Sequence, residues 1–171
     1  MSNSKSSCLS VALNFLSRRP MTCFTIKNKL AKKGFGTEEI ECTVNRLIEW
    51  KYIDDRSFSL SLIKSKREKQ SPQKIIFDLM KSGVGQELID ELMEEYYPDE
   101  LEYKNCLTLA HKLCAEEERK WKRKCQKNED LPINESEFIV ARKIKDKLIF
   151  RGYRPSMANS VVAQLFTKEN Y

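Results

Sequence analysis

Residues 26–35 read IKNKLAKKGF, and the same frame returns as IIFDLMKSGV at 75–84 and IKDKLIFRGY at 144–153. Each time an Ile and a Leu stand four residues apart, and four further on comes a Gly followed by an apolar residue. Steps of four place the Ile and Leu on one helix face, and a Gly just beyond the stripe supplies the left-handed closing residue that no β-carbon obstructs. Each stretch therefore predicts a helix end.

The likeness runs on in both directions. Six and ten residues past the glycines stand Ile40 and Val44, Ile89 and Met93, then Ala158 and Val162, which predicts a second helix after each turn. Upstream, Leu9, Leu13 and Leu16 precede Gly34 by 25, 21 and 18 residues, and Phe58 and Leu62 precede Gly83 by 25 and 21. The unit is three helices. The expected fold is all-α: three tandem three-helix repeats forming an elongated curved array, at residues 8–53, 54–97 and 99–168, with a charged insertion near 116–134 in the third. Arrays of such units bury faces against their neighbours and work through extended binding surfaces.

Local signals place the helices. Leu9, Ala12, Leu13 and Leu16 form one stripe that Pro20 ends, and Thr22 is positioned to cap a helix running to Lys33. After Gly34-Phe35-Gly36, Thr37 is the expected cap of a helix buried through Ile40, Val44, Leu47 and Ile48, with Glu38 and Glu39 at its positive end. Asp54-Asp55 opens the second repeat; the pair fits a helix cap better than catalytic carboxylates. Ser71-Pro72 is a cap followed by proline at the first helical position, and Pro98 closes a helix from about Gln86 to Tyr96. In the third repeat the run EEERKWKRKCQKNEDLPIN extends the preceding helix before a break at Leu131-Pro132. Ser136 is the expected cap of a helix buried through Ile139, Ile144, Leu148 and Ile149; Arg154-Pro155 starts the last one, with Ala158, Val161, Val162 and Leu165 inward. No alternating strand pattern occurs.

Composition narrows the function. With 171 residues, 33% charged and 40% hydrophobic, the chain has the make-up of one globular domain, with no run long enough to span a bilayer. Met1 to Ser7 leads into no apolar export segment, so a cytoplasmic protein, monomeric and without membrane contact, is expected. Six cysteines without C-x-x-C spacing fit reduced packing thiols. His111 with Cys106 and Cys114 does not make a metal set, because Cys106 rotates away from the other two, and no phosphate loop or nucleophile motif appears. No cofactor and no enzymatic activity are expected.

Charge is uneven. Residues 1–53 carry a net +5, 54–84 +3, 85–105 −7 and 106–171 +5, so an acidic block separates two basic lobes, which suits a partner bearing both signs. Basic clusters are the candidate partner- or DNA-binding residues: Arg18 and Arg19; Lys64, Lys66, Arg67 and Lys69; Arg119, Lys120, Lys122 and Arg123 around Trp121; Arg142, Lys143, Lys145 and Lys147; and Arg151. Contacts to phosphates through them would weaken with salt. The recurring helix–Gly turn–helix also matches a helix-turn-helix reader, but Glu38-Glu39 and Glu87 would repel phosphates; only the last helix, with Arg154, Ser156, Asn159, Gln164 and Lys168, has side chains suited to base edges.

Taken in order, Ala12-Leu13-x2-Leu16-x-Arg18, Leu30-x2-Lys33-Gly34, Tyr52-Ile53-Asp54-Asp55 with Phe58, Ile75-x3-Leu79-x3-Gly83-Val84 and Arg151-Gly152-Tyr153 resemble the RecX family, over about residues 8–168. Ser59 stands where that family usually has Ala. The resemblance implies a non-enzymatic regulator that binds in the groove of the RecA–DNA filament, limits its growth, and suppresses strand exchange, ATP hydrolysis and co-protease activity. It implies the RecA filament as partner, with single- or double-stranded DNA as a further partner through the basic faces. The alternative from the residues is a helical-repeat DNA- or RNA-binding adaptor independent of RecA.

Overall fold

The computed structural model describes residues 7–125 and 136–167. Among them are nine helices and no strand: α1 (Cys8–Arg18), α2 (Cys23–Lys32), α3 (Thr37–Glu49), α4 (Asp55–Lys66), α5 (Pro72–Lys81), α6 (Gln86–Tyr96), α7 (Asp99–Cys125), α8 (Ser136–Phe150) and α9 (Pro155–Thr167). The protein is all-α, and its helices follow one another in threes along the sequence. No described helix is long and apolar enough to cross a membrane.

The chain forms two compact units, Met1–Ile63 with Ile76–Leu92, and Lys64–Ile75 with Met93–Tyr171; the division passes through the middle repeat. In the first unit Cys8, Ala12, Ile26, Leu30, Val44, Leu47 and Ile53 make the core, and Leu9, Leu13 and Leu16 pack on it half-buried. In the second, Cys106, Ala110, Leu113, Ile144, Leu148, Tyr153, Ala158 and Val161 do the same. Burial pushes the Cys106 thiol up to about 11, so it packs as a small apolar group.

All three repeat glycines adopt the left-handed conformation: Gly34 at φ 87°, Gly83 at 77° and Gly152 at 90°. The amides of Phe35, Val84 and Tyr153 reach back to the carbonyls of Leu30, Leu79 and Leu148, closing the three helices alike.

The caps follow the sequence at Thr22, whose Oγ1 accepts from the Thr25 amide at 3.1 Å, and at Ser71, whose Oγ accepts from Lys74 at 3.2 Å. The two aspartates divide their work. Asp54 Oδ1 accepts from the amides of Arg56 and Ser57 at 3.0 Å each, capping α4, while Asp55 Oδ1 accepts from the Cys23 amide at 2.9 Å and so caps the start of α2. The Ser57 amide and hydroxyl hold the Asp54 carboxyl below its ordinary value. Asp54→Ala should cost about 1 kcal/mol of stability at pH 7, read by thermal unfolding, with the difference from wild type fading as the pH falls from the ordinary 3.8 through the lower value of the folded carboxyl, below which it is protonated in both states. Ser59 is buried and its hydroxyl donates to the Asp55 carbonyl at 2.6 Å, a back-bond that satisfies it inside the core.

Four expectations are corrected. Thr37 is the first residue of α3 and Gly36 is its cap, with no side-chain bond; Glu38 and Glu39 stand over the unpaired amides instead. Ile48 is 39% exposed, its place on the buried face being taken by Thr43. Ser136 already lies inside α8. The buried stripe of α8 is Val140, Ile144 and Leu148 in clean steps of four, so Ile139 is only half-buried and Ile149, one residue past the stripe, is 36% exposed. The expected break at Leu131-Pro132, and Lys168, lie outside the described residues.

The repeats meet through a recurring joint. Thr22, the fully buried cap of α2, donates its hydroxyl to the carbonyl of Ser82 at 2.5 Å, at the closing turn of α5. Ser71, the fully buried cap of α5, donates its amide to the carbonyl of Arg151 at 3.1 Å, at the closing turn of α8. In both cases the acceptor precedes the left-handed Gly, and a β-carbon on that Gly would collide with the capped helix: with Phe24 at Gly83, with Ser71 and Lys74 at Gly152. The negative end of one helix thus sits on the positive end of another.

Candidate functional site

The expected binding residues are dispersed. Arg18 ends α1 and Arg19 follows it, both exposed. Lys64 lies in the last turn of α4 with its ammonium 5.2 Å from the centre of the Tyr96 ring, and Lys69 is exposed in the turn that follows. Lys66 and Arg67 are half-buried, and the Arg67 carbonyl accepts from Asn105 Nδ2 at 3.0 Å. Arg151 belongs to the joint: its carbonyl meets Ser71 and its guanidinium donates to the Lys147 carbonyl at 3.2 Å.

The structure does bring two clusters together, on α7 and α8, through a residue that sequence reading passed over. Glu117 is 6% exposed; its Oε1 accepts from Lys147 at 2.6 Å and from Lys120 at 2.9 Å, and Lys143 Nζ lies 3.8 Å from Oε2. Bonds from Lys147 and Lys120 hold its carboxyl down to about 2. Lys120 is correspondingly raised by Glu117. The signal was present: Leu109, Leu113 and Glu117 are spaced by four, so the buried stripe of α7 runs directly onto Glu117.

This bridge sorts the basic residues into two kinds. Lys120, Lys143 and Lys147 are held by Glu117, whereas Lys122, Arg123, Arg142 and Lys145 point elsewhere, the first three exposed and Lys145 half-buried. Arg119 is exposed with its Nε donating to the Ala115 carbonyl at 2.9 Å. Arg142 and Lys145 share a helix face with Phe138, which is 74% exposed. Arg56 pairs with Glu91 of the acidic helix α6 at 2.8 Å. The arrangement offers cations and apolar side chains for docking. Among the described residues no group of three His, Cys, Asp or Glu could hold a metal ion.

Comparison with known proteins places this fold. The regulatory protein RecX of Chlorobium limicola is 32% identical over 126 residues, 72% of this chain and 79% of that protein. The chain belongs to the RecX family. The family model for RecX, first three-helix domain, matches residues 8–47. The regulatory protein RecX of Clostridium botulinum is 27% identical over 165 residues, 96% of this chain and 71% of that protein. The crystal structure of RecX from Lactobacillus salivarius shares the fold with a TM-score of 0.62 at 21% identity, covering 94% of this chain and 95% of that one. These RecX relatives are named regulatory proteins.

Proposed function

We propose that this protein is a non-enzymatic regulator in the cytoplasm that binds the RecA–DNA filament and limits its growth, ATP hydrolysis and co-protease activity. Membership in a family of regulatory proteins carries this reading. The surface chemistry supplies the means: exposed Arg18, Arg19, Lys69, Arg119, Lys122, Arg123 and Arg142 suit acidic protein surface or DNA phosphates, and the exposed acids of α6 suit basic loops.

The test is a titration of recombinase ATPase on single-stranded DNA. A filament regulator lowers turnover when present well below the recombinase concentration, because one bound molecule affects many subunits. A DNA- or RNA-binding adaptor lowers it only by covering the strand, at amounts that scale with DNA. Replacing Lys64, Lys66, Arg67 and Lys69 together by Ala should raise the concentration for half-inhibition roughly tenfold at low salt, with a smaller effect at high salt. Unchanged inhibition at every salt concentration removes that cluster from the binding surface.

A further inference from the structure

Glu117 gathers more positive charge than it can answer. Lys120 on α7 and Lys147 on α8 both donate to its Oε1, at 2.9 and 2.6 Å, and Lys143 Nζ stands 3.8 Å from Oε2, beyond hydrogen-bond reach. Each ammonium carries three N–H donors, while one carboxylate offers about four acceptor positions, so most of the donors point past Glu117. The carboxylate is 6% exposed and forms the floor of the cluster; the three lysine side chains are 58, 42 and 32% exposed and form its open side. The helices that carry them are fixed by the core beneath, through Leu113, Val140, Ile144 and Leu148.

Neighbouring charges leave the excess in place. Glu118 is turned away to Cys114, whose thiol donates to it at 3.2 Å. Glu116 stands one turn before Lys120, and Asp146 lies on the Phe138 side of α8, where the two line a cavity. Arg123 and Lys124, three and four residues past Lys120, are exposed and continue the row along α7. With Glu116, Glu117 and Asp146 all counted against Lys120, Arg123, Lys124, Lys143 and Lys147, two positive charges remain in excess. The Arg151 guanidinium, folded onto the Lys147 carbonyl at 3.2 Å, adds a third.

We infer that Lys120, Lys143 and Lys147, gathered by Glu117, form a seat for the backbone phosphates of a nucleic-acid strand. A tetrahedral phosphate turns oxygens toward three converging ammoniums at once, and Arg123 and Lys124 meet the phosphates that follow. Glu117 is a positioning residue: it holds the lysines before the strand arrives, so less side-chain freedom is lost on binding. The inference rests on the DNA contact within the proposed function and gives that contact a place.

Fluorescence anisotropy of a labelled single-stranded oligonucleotide of about twelve nucleotides, with the full chain and no recombinase, tests this. Lys143→Ala, which removes no hydrogen bond to Glu117, should weaken binding roughly threefold at low salt and reduce the slope of log affinity against log salt by about 0.7; adding Lys147→Ala should bring these to roughly tenfold and about 1.4. Glu117→Gln gives the decisive sign. A diffuse basic surface would hold the strand more tightly once a negative charge is gone, whereas the seat holds it roughly threefold less tightly, because its lysines are no longer gathered. Circular dichroism and thermal unfolding check that this variant is folded at the assay temperature, and Lys143→Ala tests the seat independently of it. Tighter binding by Glu117→Gln, an unchanged affinity and slope for Lys143→Ala, pyrophosphate binding as tightly as the oligonucleotide, or a poly-glutamate peptide of equal charge displacing the strand at equal concentration would each overturn the inference. Failure here removes the seat alone; an ATPase titration that fails while strand binding is intact removes the regulatory reading and not the seat.

Discussion

Gly83→Ala should lower the thermal midpoint by roughly 10 °C, corresponding to about 3 kcal/mol, whereas Gly34→Ala should cost only about 1 kcal/mol. Both positions have positive φ, and Ala in the left-handed region is penalised by about 1–2 kcal/mol at either. The difference lies in the joint. At Gly83 an added β-carbon falls on Phe24 Cβ and Cγ, closer than carbon atoms approach, and a rotamer change cannot move Cβ, which the α2 backbone fixes. Crowding of this kind adds about 1–3 kcal/mol. Gly152→Ala should resemble Gly83→Ala, since Ser71 Oγ and Lys74 Cβ stand in the way. Equal midpoints for Gly34→Ala and Gly83→Ala in differential scanning calorimetry would show that the joint carries no such constraint.

Glu117→Gln should destabilise the protein by about 2 kcal/mol at pH 7. The variant keeps the shape but leaves Lys120, Lys143 and Lys147 around an uncharged amide. A fall from the ordinary 4.5 to about 2 sets an upper bound above this figure, and we discount it because the three lysine side chains remain 58, 42 and 32% exposed to water. The folded carboxyl binds its proton less readily than the unfolded one. Its contribution is therefore complete above about 4.5 and is lost as the pH falls toward about 2. Urea unfolding of wild type and variant at pH 7, 4 and 3 should show the gap closing on the acid side; a gap constant over that range would mean that the charge of Glu117 is not what stabilises α7 against α8.

What the sequence made legible is whatever depends on neighbours along the chain. The three glycine turns, the caps at Thr22 and Ser71 and the Pro72 start rest on bonds spanning three to five residues, and residue type alone specifies them. Ile48 and Ile149 were misplaced because each follows a buried Leu by one residue; at the edge of a stripe a 100° step decides burial, and periodicity does not fix which edge faces inward. The joint was invisible for a different reason. Its acceptors are main-chain carbonyls, which every residue has, and Thr22 and Ser82 are 60 positions apart. Glu117 was hidden among Glu116 and Glu118, identical in chemistry and set apart in the sequence only by its four-residue steps from Leu109 and Leu113.

The asymmetry of the joint bears on how such a chain grows in evolution. A contact between like faces is satisfied by a pair, and a third copy made by duplicating the gene segment would find nowhere to sit. Here the fit is between the start of one middle helix and the finish of the next, so an in-frame duplication of about fifty codons yields a module that matches its parent at once. The chemistry can then drift, a threonine hydroxyl giving the bond in one place and a serine amide in the other, while the spacing stays. A module added in that way would dock by the same start-to-finish contact that occurs twice among the described residues.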